Sequence, residues 1–291
     1  MPSLLARAGL LLAVVVLSVS VAACGKDKKK TAVKPSPLAI TLNPAGKAAK
    51  FTVPATTKGG LVQVTFANTT AAPHAAQLVR IEGSHTTQEA LKAVTSNSPK
   101  TPEWVRAEGG VGGTGPRSRG TALVDLPAGR YMVADVGGPG GPAPPAYAQF
   151  NVTAGTSGEP PAAASTIDAA ENGKDKYEWK LSGAALKSGP NRITFKSGGK
   201  EALHLVALVK LKRDVSEAEV LKALKTNGPP PAFIDQNSFA TTAVLDGDKV
   251  STTDLNTTAG PGTYVLFCPL TDRDGGKPHF EEGLLKKVVV K

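Results

Sequence analysis

The chain has 291 residues, including 31 glycines, 23 prolines, four histidines and two cysteines, and its formal net charge is +10. This length suits two domains of ordinary size, and the glycine and proline content indicates a protein rich in turns. The scarcity of cysteine and histidine excludes a disulfide scaffold and a cysteine-rich zinc array. The positive charge is spread thinly, and no stretch combines dense basic charge with aromatic residues, so we do not expect nucleic-acid binding.

The first 23 residues predict a secretory leader. Arg7 precedes an apolar run over residues 9–23, which has the length of a signal-peptide core and is short for a membrane span. The run ends in the sequence VAACG (residues 21–25), which resembles the lipobox of bacterial lipoproteins. The resemblance implies a signal peptide cleaved before Cys24, lipidation of Cys24 by acyl chains such as palmitate, and an extracytoplasmic protein anchored to the cell membrane. The alternative is an ordinary signal peptide with an incidental cysteine.

Residues 24–37 predict a lipidated tether. Four lysines among residues 26–30 would lie at the membrane surface, and the rest of the segment is small, polar and proline-containing. The body then divides into residues 38–153 and 176–291, separated by an Ala-, Gly-, Ser- and Pro-rich stretch over residues 154–175 that we interpret as a linker.

The two parts of the body are copies of one unit. Several landmarks recur in the same order at an offset of about 130 residues, which indicates an internal duplication. The matching landmarks are Val64–Phe66 with Ile193–Phe195, His74 with His204, Thr86–Ala93 with Ser216–Ala223, and Tyr131 with Tyr264.

Each unit is predicted to consist mainly of strands. Residues 61–66 and 262–268 are rich in β-branched and aromatic side chains, and turn residues bound them. The glycine-rich stretch 109–115 lacks the lysine and the following helix of a phosphate-binding loop, and we predict a flexible loop there. The expected fold class is all-β, with two tandem Greek-key β-sandwiches.

One short helix is expected to interrupt each unit. Thr86 with Glu89, and Ser216 with Glu219, have the spacing of a capping box at a helix start. Apolar residues recur at helical spacing after each pair, so each helix has one face that can be buried.

Candidate ligands for a metal occur only in the second unit. His204 follows a strand, Cys268 ends the penultimate strand, and His279 lies in the next loop before the last strand. This order resembles the cupredoxin (blue copper) family. The resemblance implies that His204, Cys268 and His279 bind one copper ion, and that Leu284 occupies the axial position without acting as a ligand. Ten residues separate Cys268 from His279, more than is usual in the family, so residues 269–278 must loop out and return.

The first unit has no equivalent set. Asp135 occupies the position of Cys268, and no histidine follows it before Val152, which leaves His74 alone. We therefore expect residues 38–153 to form a degenerate, metal-free copy.

Two functions remain open from the sequence. The favoured hypothesis is a membrane-anchored, non-catalytic binding or interaction module, because no motif of a hydrolase and no His-x-His pair of a multicopper oxidase is present. The alternative is a copper-binding or electron-transfer protein. In the first case Cys268 is a buried apolar residue and the histidines are structural. In the second, the two imidazoles and the thiol should converge to about 4 Å.

Overall fold

The computed structural model describes residues 33–46, 48–96, 98–136, 145–226 and 228–291. The predicted leader (1–23), the lipidation site Cys24 and most of the tether lie outside the described residues. Within the described ranges, no helix is both long and apolar enough to cross a membrane.

The first half is mostly β-structure. In chain order its elements are β1 (Ser36–Ala45), β2 (Ala48–Thr52), β3 (Thr56–Asn68), β4 (His74–Ile81), α1 (Thr87–Thr95), β5 (Val105–Thr114), β6 (Ser118–Leu126), β7 (Gly129–Ala134) and β8 (Tyr147–Thr156). Hydrogen bonds link the strands in the orders β2-β1-β3-β6 and β8-β7-β4-β5. The first residues of β3 also pair in parallel with β8, which connects the two groups.

The second half repeats this arrangement. Its elements are β9 (Ser165–Glu171), β10 (Tyr177–Gly183), β11 (Gly189–Ser197), β12 (Leu203–His204), β13 (Ala207–Leu211), α2 (Glu217–Leu224), β14 (Ile234–Thr241), β15 (Leu245–Asp246), β16 (Lys249–Thr257), β17 (Gly262–Phe267), a 3-10 helix (His279–Glu281) and β18 (Leu285–Val290). The strand orders are β10-β9-β11-β16 and β14-β13-β17-β18. Each order matches one in the first half, strand for strand, so the landmarks found in the sequence occupy equivalent places.

The two halves are joined edge to edge. Strand β16 pairs antiparallel with β6 through Thr253 and Ala122, and β15 pairs with β5 through Leu245 and Glu108. Each pairing satisfies backbone groups that an isolated sheet edge would leave free. The mostly-β prediction is confirmed. One 14-stranded sheet contains strands of both halves, and a separate four-stranded sheet lies in the second half, so the described strands do not divide into two independent sandwiches.

Two segment boundaries differ from the sequence-based division. Strand β9 lies inside residues 154–175, which were interpreted as a linker, and β1 begins at Ser36, inside the predicted tether. The side chains of Ile167 and Ala169 in β9 are buried in the core of the second half. Small residues that alternate inward and outward therefore form a strand in a stretch whose composition alone indicates a linker.

The glycine-rich stretch predicted as a flexible loop is instead part of β5. A Cβ atom on Gly110 would lie 2.1 Å from the carbonyl oxygen of Ala76, and one on Gly112 would lie 2.0 Å from that of Thr241. Glycine is required here because β5 passes against the backbones of β4 and of the second half, and not because the segment is loose.

Matching local contacts support the duplication. The hydroxyl of Tyr131 donates to the carbonyl of Pro127 at 2.8 Å, and that of Tyr264 donates to Gly260 at 2.8 Å. Both tyrosines are fully buried and anchor a turn to the strand that follows it.

The two helix starts are less alike than their sequences predict. At α1 the capping box is complete, because Thr86 and Glu89 each accept a hydrogen bond from the other's backbone N–H. At α2 the hydroxyl of Ser216 accepts from Glu219 N–H at 3.1 Å, while the Glu219 carboxylate lies 2.7 Å from Arg213.

Candidate metal centre

The three residues that the sequence proposed as ligands lie together in the second half. His204 ends β12, Cys268 directly follows β17, and His279 begins the 3-10 helix. One ligand atom from each lies within 4.8 Å of the others, and all three residues are 0% exposed. Within the described residues, this is the group of histidine, cysteine and acidic side chains with spacing suited to a metal ion. The bound of 4.8 Å is wider than the expected value of about 4 Å, so a bound ion would draw the atoms closer.

Backbone hydrogen bonds bring the long loop between the last two ligands back to its origin. His279 N–H donates to Leu270 O at 2.8 Å, and Phe280 N–H donates to Cys268 O at 2.9 Å. Cys268 N–H in turn donates to Leu284 O at 3.1 Å. The ten-residue insertion therefore does not separate the ligands. Leu284 is fully buried in the same apolar cluster as Cys268.

Each imidazole is oriented by a hydrogen-bond acceptor that lies beside its Nε2 atom. His204 Nε2 lies 3.0 Å from the carbonyl oxygen of Gly198, and His279 Nε2 lies 3.1 Å from Asp272 Oδ1. A carbonyl and a carboxylate only accept hydrogen bonds, so both Nε2 atoms carry the proton. Both Nδ1 atoms then carry a bare lone pair, as in metal sites where an outer acceptor fixes the tautomer of a ligand histidine.

The three candidate ligand atoms can accept more hydrogen bonds than they can donate. Cys268 Sγ lies 3.7 Å from His279 Nδ1, so the single thiol proton can be directed to that nitrogen. His204 Nδ1 is buried and has no hydrogen-bond partner among the described residues. A buried polar atom without a partner is uncommon and calls for an explanation, such as an ion that the site is built to hold.

Burial keeps all three groups neutral. Burial, with a smaller contribution from the neighbouring His279, lowers the pKa of His204 to about 3. Burial also lowers the pKa of His279, against the opposing effect of Asp272. The pKa of the Cys268 thiol is raised to about 12 by burial, although backbone hydrogen bonds from Leu205 and Leu270 favour the thiolate. The imidazoles are therefore ready to donate lone pairs, whereas the thiol must lose a proton when a metal binds.

Sequence reasoning missed the residues that surround the ligands. The ring of Tyr177 packs 4.9 Å from that of His204 and 4.7 Å from that of His279, measured between centroids. Its hydroxyl donates to Asp272 Oδ1 at 2.8 Å. Asp272 lies in the ligand loop only seven positions before His279, so an acidic residue close to a candidate ligand is a signal that could have found it.

The first half carries a different arrangement at the matching positions. His74 begins β4 and Asp135 directly follows β7, as Cys268 follows β17. His74 Nδ1 lies 2.5 Å from Asp135 Oδ2, and both side chains are nearly inaccessible. The second carboxylate oxygen accepts from Ala75 N–H at 3.0 Å. His74 Nδ1 and both carboxylate oxygens of Asp135 therefore have partners within the protein, unlike Nδ1 of His204.

No family model matches the chain, and no curated protein matches it significantly. Among solved structures, a multicopper oxidase is similar at 15% identity, over 88% of this chain and 88% of its own, with a TM-score of 0.22. Auracyanin from Roseiflexus castenholzii is 25% identical over 45% of this chain and 99% of its own, with a TM-score of 0.28. Auracyanin A, a "blue" copper protein from Chloroflexus aurantiacus, is 21% identical over 43% and 98%, also at 0.28. At TM-scores this low, function is inferred below from the site alone.

Proposed function

We propose that the second half binds one copper ion through Nδ1 of His204, Sγ of Cys268 and Nδ1 of His279, and that the protein acts as a copper-binding or electron-transfer protein without catalysis. In this proposal each half is a cupredoxin-like β-sandwich. The observation that carries it is the unpartnered, buried His204 Nδ1 beside the Cys268–His279 pair.

The donor set suits copper better than a hard cation. A thiolate and two imidazoles are the ligands of trigonal copper sites with a weak axial contact, whereas magnesium and calcium take oxygen ligands. Bound copper would supply one-electron redox chemistry. The chain would hold the three ligands on a rigid framework and exclude water, because all three are fully buried and Leu284 adds a hydrocarbon side chain to the apolar cluster around Cys268.

A copper titration tests the proposal. Copper(II) is added to the reduced, metal-free protein, and the intense thiolate-to-copper absorption band is followed to its end point. One copper per chain and loss of the band in Cys268→Ser are expected. His74→Ala is the matched control, because it removes a buried histidine from the first half and should leave the band intact. A colourless wild-type protein without stoichiometric metal would contradict the proposal and favour a metal-free interaction module.

We further propose that Cys24 is lipidated and anchors the protein at the outer face of a cell membrane. The proposal rests on the lipobox-like sequence around Cys24, and several acyl chains would give firm anchoring. Metabolic labelling with a palmitate analogue should mark the full-length protein and not Cys24→Ser. Equal labelling of the two would show that Cys24 is not the acceptor.

A further inference from the structure

The loop that leads from Cys268 to His279 is attached to the first half. The hydroxyl of Thr271 donates to Pro99 O at 3.1 Å, and Thr101 N–H donates to Arg273 O at 2.9 Å. The loop therefore lies alongside the chain segment that precedes β5 in the first half. A long insertion between two ligands thus gains a structural role, since it spans the boundary between the halves.

Arg273 provides the strongest of these attachments. Its side chain is 3% exposed, and its Nη1 donates to the carbonyl oxygens of Pro102 and Val105 at 3.1 and 2.9 Å. Its Nη2 forms an ion pair with Asp246, whose Oδ1 also accepts from Ala107 N–H at 3.2 Å. A buried guanidinium is costly unless it is paired and hydrogen-bonded; here two carbonyl groups and a carboxylate pair the two terminal nitrogens, while Nε has no partner among the described residues.

Asp272, the residue before Arg273, contacts one of the candidate ligands. Asp272 accepts from His279 Nε2 and from the hydroxyl of Tyr177, both through Oδ1. Two consecutive residues of the loop therefore contact different parts of the protein. Arg273 binds carbonyl groups of the first half, and Asp272 fixes which nitrogen of His279 carries the proton. The backbone of Arg273 is held as well, since its N–H donates to Glu201 O at 3.0 Å.

We infer that Arg273 is a positioning residue for the metal centre, through which the first half holds the Asp272 carboxylate against His279 Nε2 and keeps His279 Nδ1 bare. This inference rests on the proposed function in that the bare nitrogen is the one offered to copper. The half without a metal-binding set becomes part of the centre, because its carbonyl groups fix the loop that orients a ligand of the other half.

The test uses the full-length protein labelled with 15N-histidine. In the metal-free wild type, NMR should show His279 protonated at Nε2. In Arg273→Gln the imidazole should exchange between tautomers, and copper affinity should fall by about 10- to 100-fold, as is typical when the outer partner of a ligand is lost. Arg106→Gln is the matched control: Arg106 lies 3.9 Å from the same Asp246 carboxylate but does not hold the loop. It should preserve both readouts.

The outcomes separate this inference from copper binding itself. A folded Arg273→Gln protein with the wild-type tautomer and copper affinity would overturn the positioning role. A wild type that binds no copper, but whose His279 tautomer still depends on Arg273, would retain the positioning role and overturn the proposed function. If Arg273→Gln does not fold, Arg273→Lys decides, because lysine keeps the charge opposite Asp246 and cannot bond both carbonyl groups of the first half: loss of tautomer order supports the role, and an unchanged His279 spectrum overturns it.

Discussion

The matching positions of the two halves solve the same physical problem differently. In the first half, His74 and Asp135 form a buried pair at 2.5 Å, in which a nitrogen and a carboxylate oxygen satisfy each other. In the second half, His204 and Cys268 make no such pair, and His204 Nδ1 has no partner among the described residues. A carboxylate at this position closes the site, and a thiol leaves it open to a ligand. The difference therefore lies in which atoms are satisfied, within one shared strand arrangement.

Replacing each of the two equivalent histidines by alanine should give the largest difference between the halves. His204→Ala is expected to weaken copper binding by more than about 100-fold, because loss of a ligand exceeds the effect of losing an outer partner. His74→Ala should leave copper affinity unchanged and lower only stability. Competition titrations with a copper chelator measure both variants. Equal losses of affinity would remove the functional distinction between the halves.

For the stability of the metal-free protein, the larger loss is expected from a substitution in the first half. Asp135→Ala leaves the buried Nδ1 of His74 without its partner and should lower the free energy of unfolding by about 1–3 kcal/mol. Cys268→Ala removes a small group whose nearest partner, His279 Nδ1, is 3.7 Å away, and should cost about 1 kcal/mol. Urea denaturation provides the comparison. A cost for Cys268→Ala as large as that for Asp135→Ala would mean that the thiol is already well paired without metal.

Acid should destabilise the metal-free second half through His204. Its pKa is lowered to about 3 by burial, whereas the unfolded imidazole titrates near its ordinary value of about 6.5. The unfolded state binds the proton more tightly, so stability is retained above about pH 6.5 and falls as the pH drops toward 3. Between pH 7 and pH 5 the wild type should lose about 2 kcal/mol more than His204→Gln, measured by denaturation at each pH. Parallel losses in the two proteins would show that His204 accepts a proton in the folded state.

The helix starts give the smallest contrast. Thr86→Ala removes the hydroxyl that accepts from Glu89 N–H and donates to the Glu89 carboxylate, and should cost about 1 kcal/mol. Ser216→Ala removes one bond at α2, where Glu219 is held separately by Arg213, and should cost less. Thermal unfolding of the two variants tests the order, and a larger loss for Ser216→Ala would reverse it.

The sequence predicted the elements that depend on local pattern. The structure brings His204, Cys268 and His279 together and places the duplicated landmarks at equivalent positions. These features could be predicted because strand alternation and capping residues are encoded within a few positions. The ligand set could be proposed for the same reason, since each candidate lies at the end of a recognisable element.

Features that depend on long-range backbone pairing were missed. Strand β9 is stabilised by its parallel partner β11 and by a shared core, and composition alone did not distinguish it from a linker. The edge-to-edge junction and the burial of Arg273 likewise require both halves to be present. Gly112 shows the limit most clearly, since its requirement for glycine comes from Thr241, more than a hundred residues away.

X-ray absorption at the copper edge, on the stoichiometric wild-type complex, identifies the atoms bonded to copper. One sulfur and two imidazole nitrogens are expected at bonding distance from each copper ion, with the sulfur signal lost in Cys268→Ser. A copper ion surrounded only by nitrogen and oxygen, with a spectrum unchanged by Cys268→Ser, would show that copper binds elsewhere and that Cys268 is not a ligand.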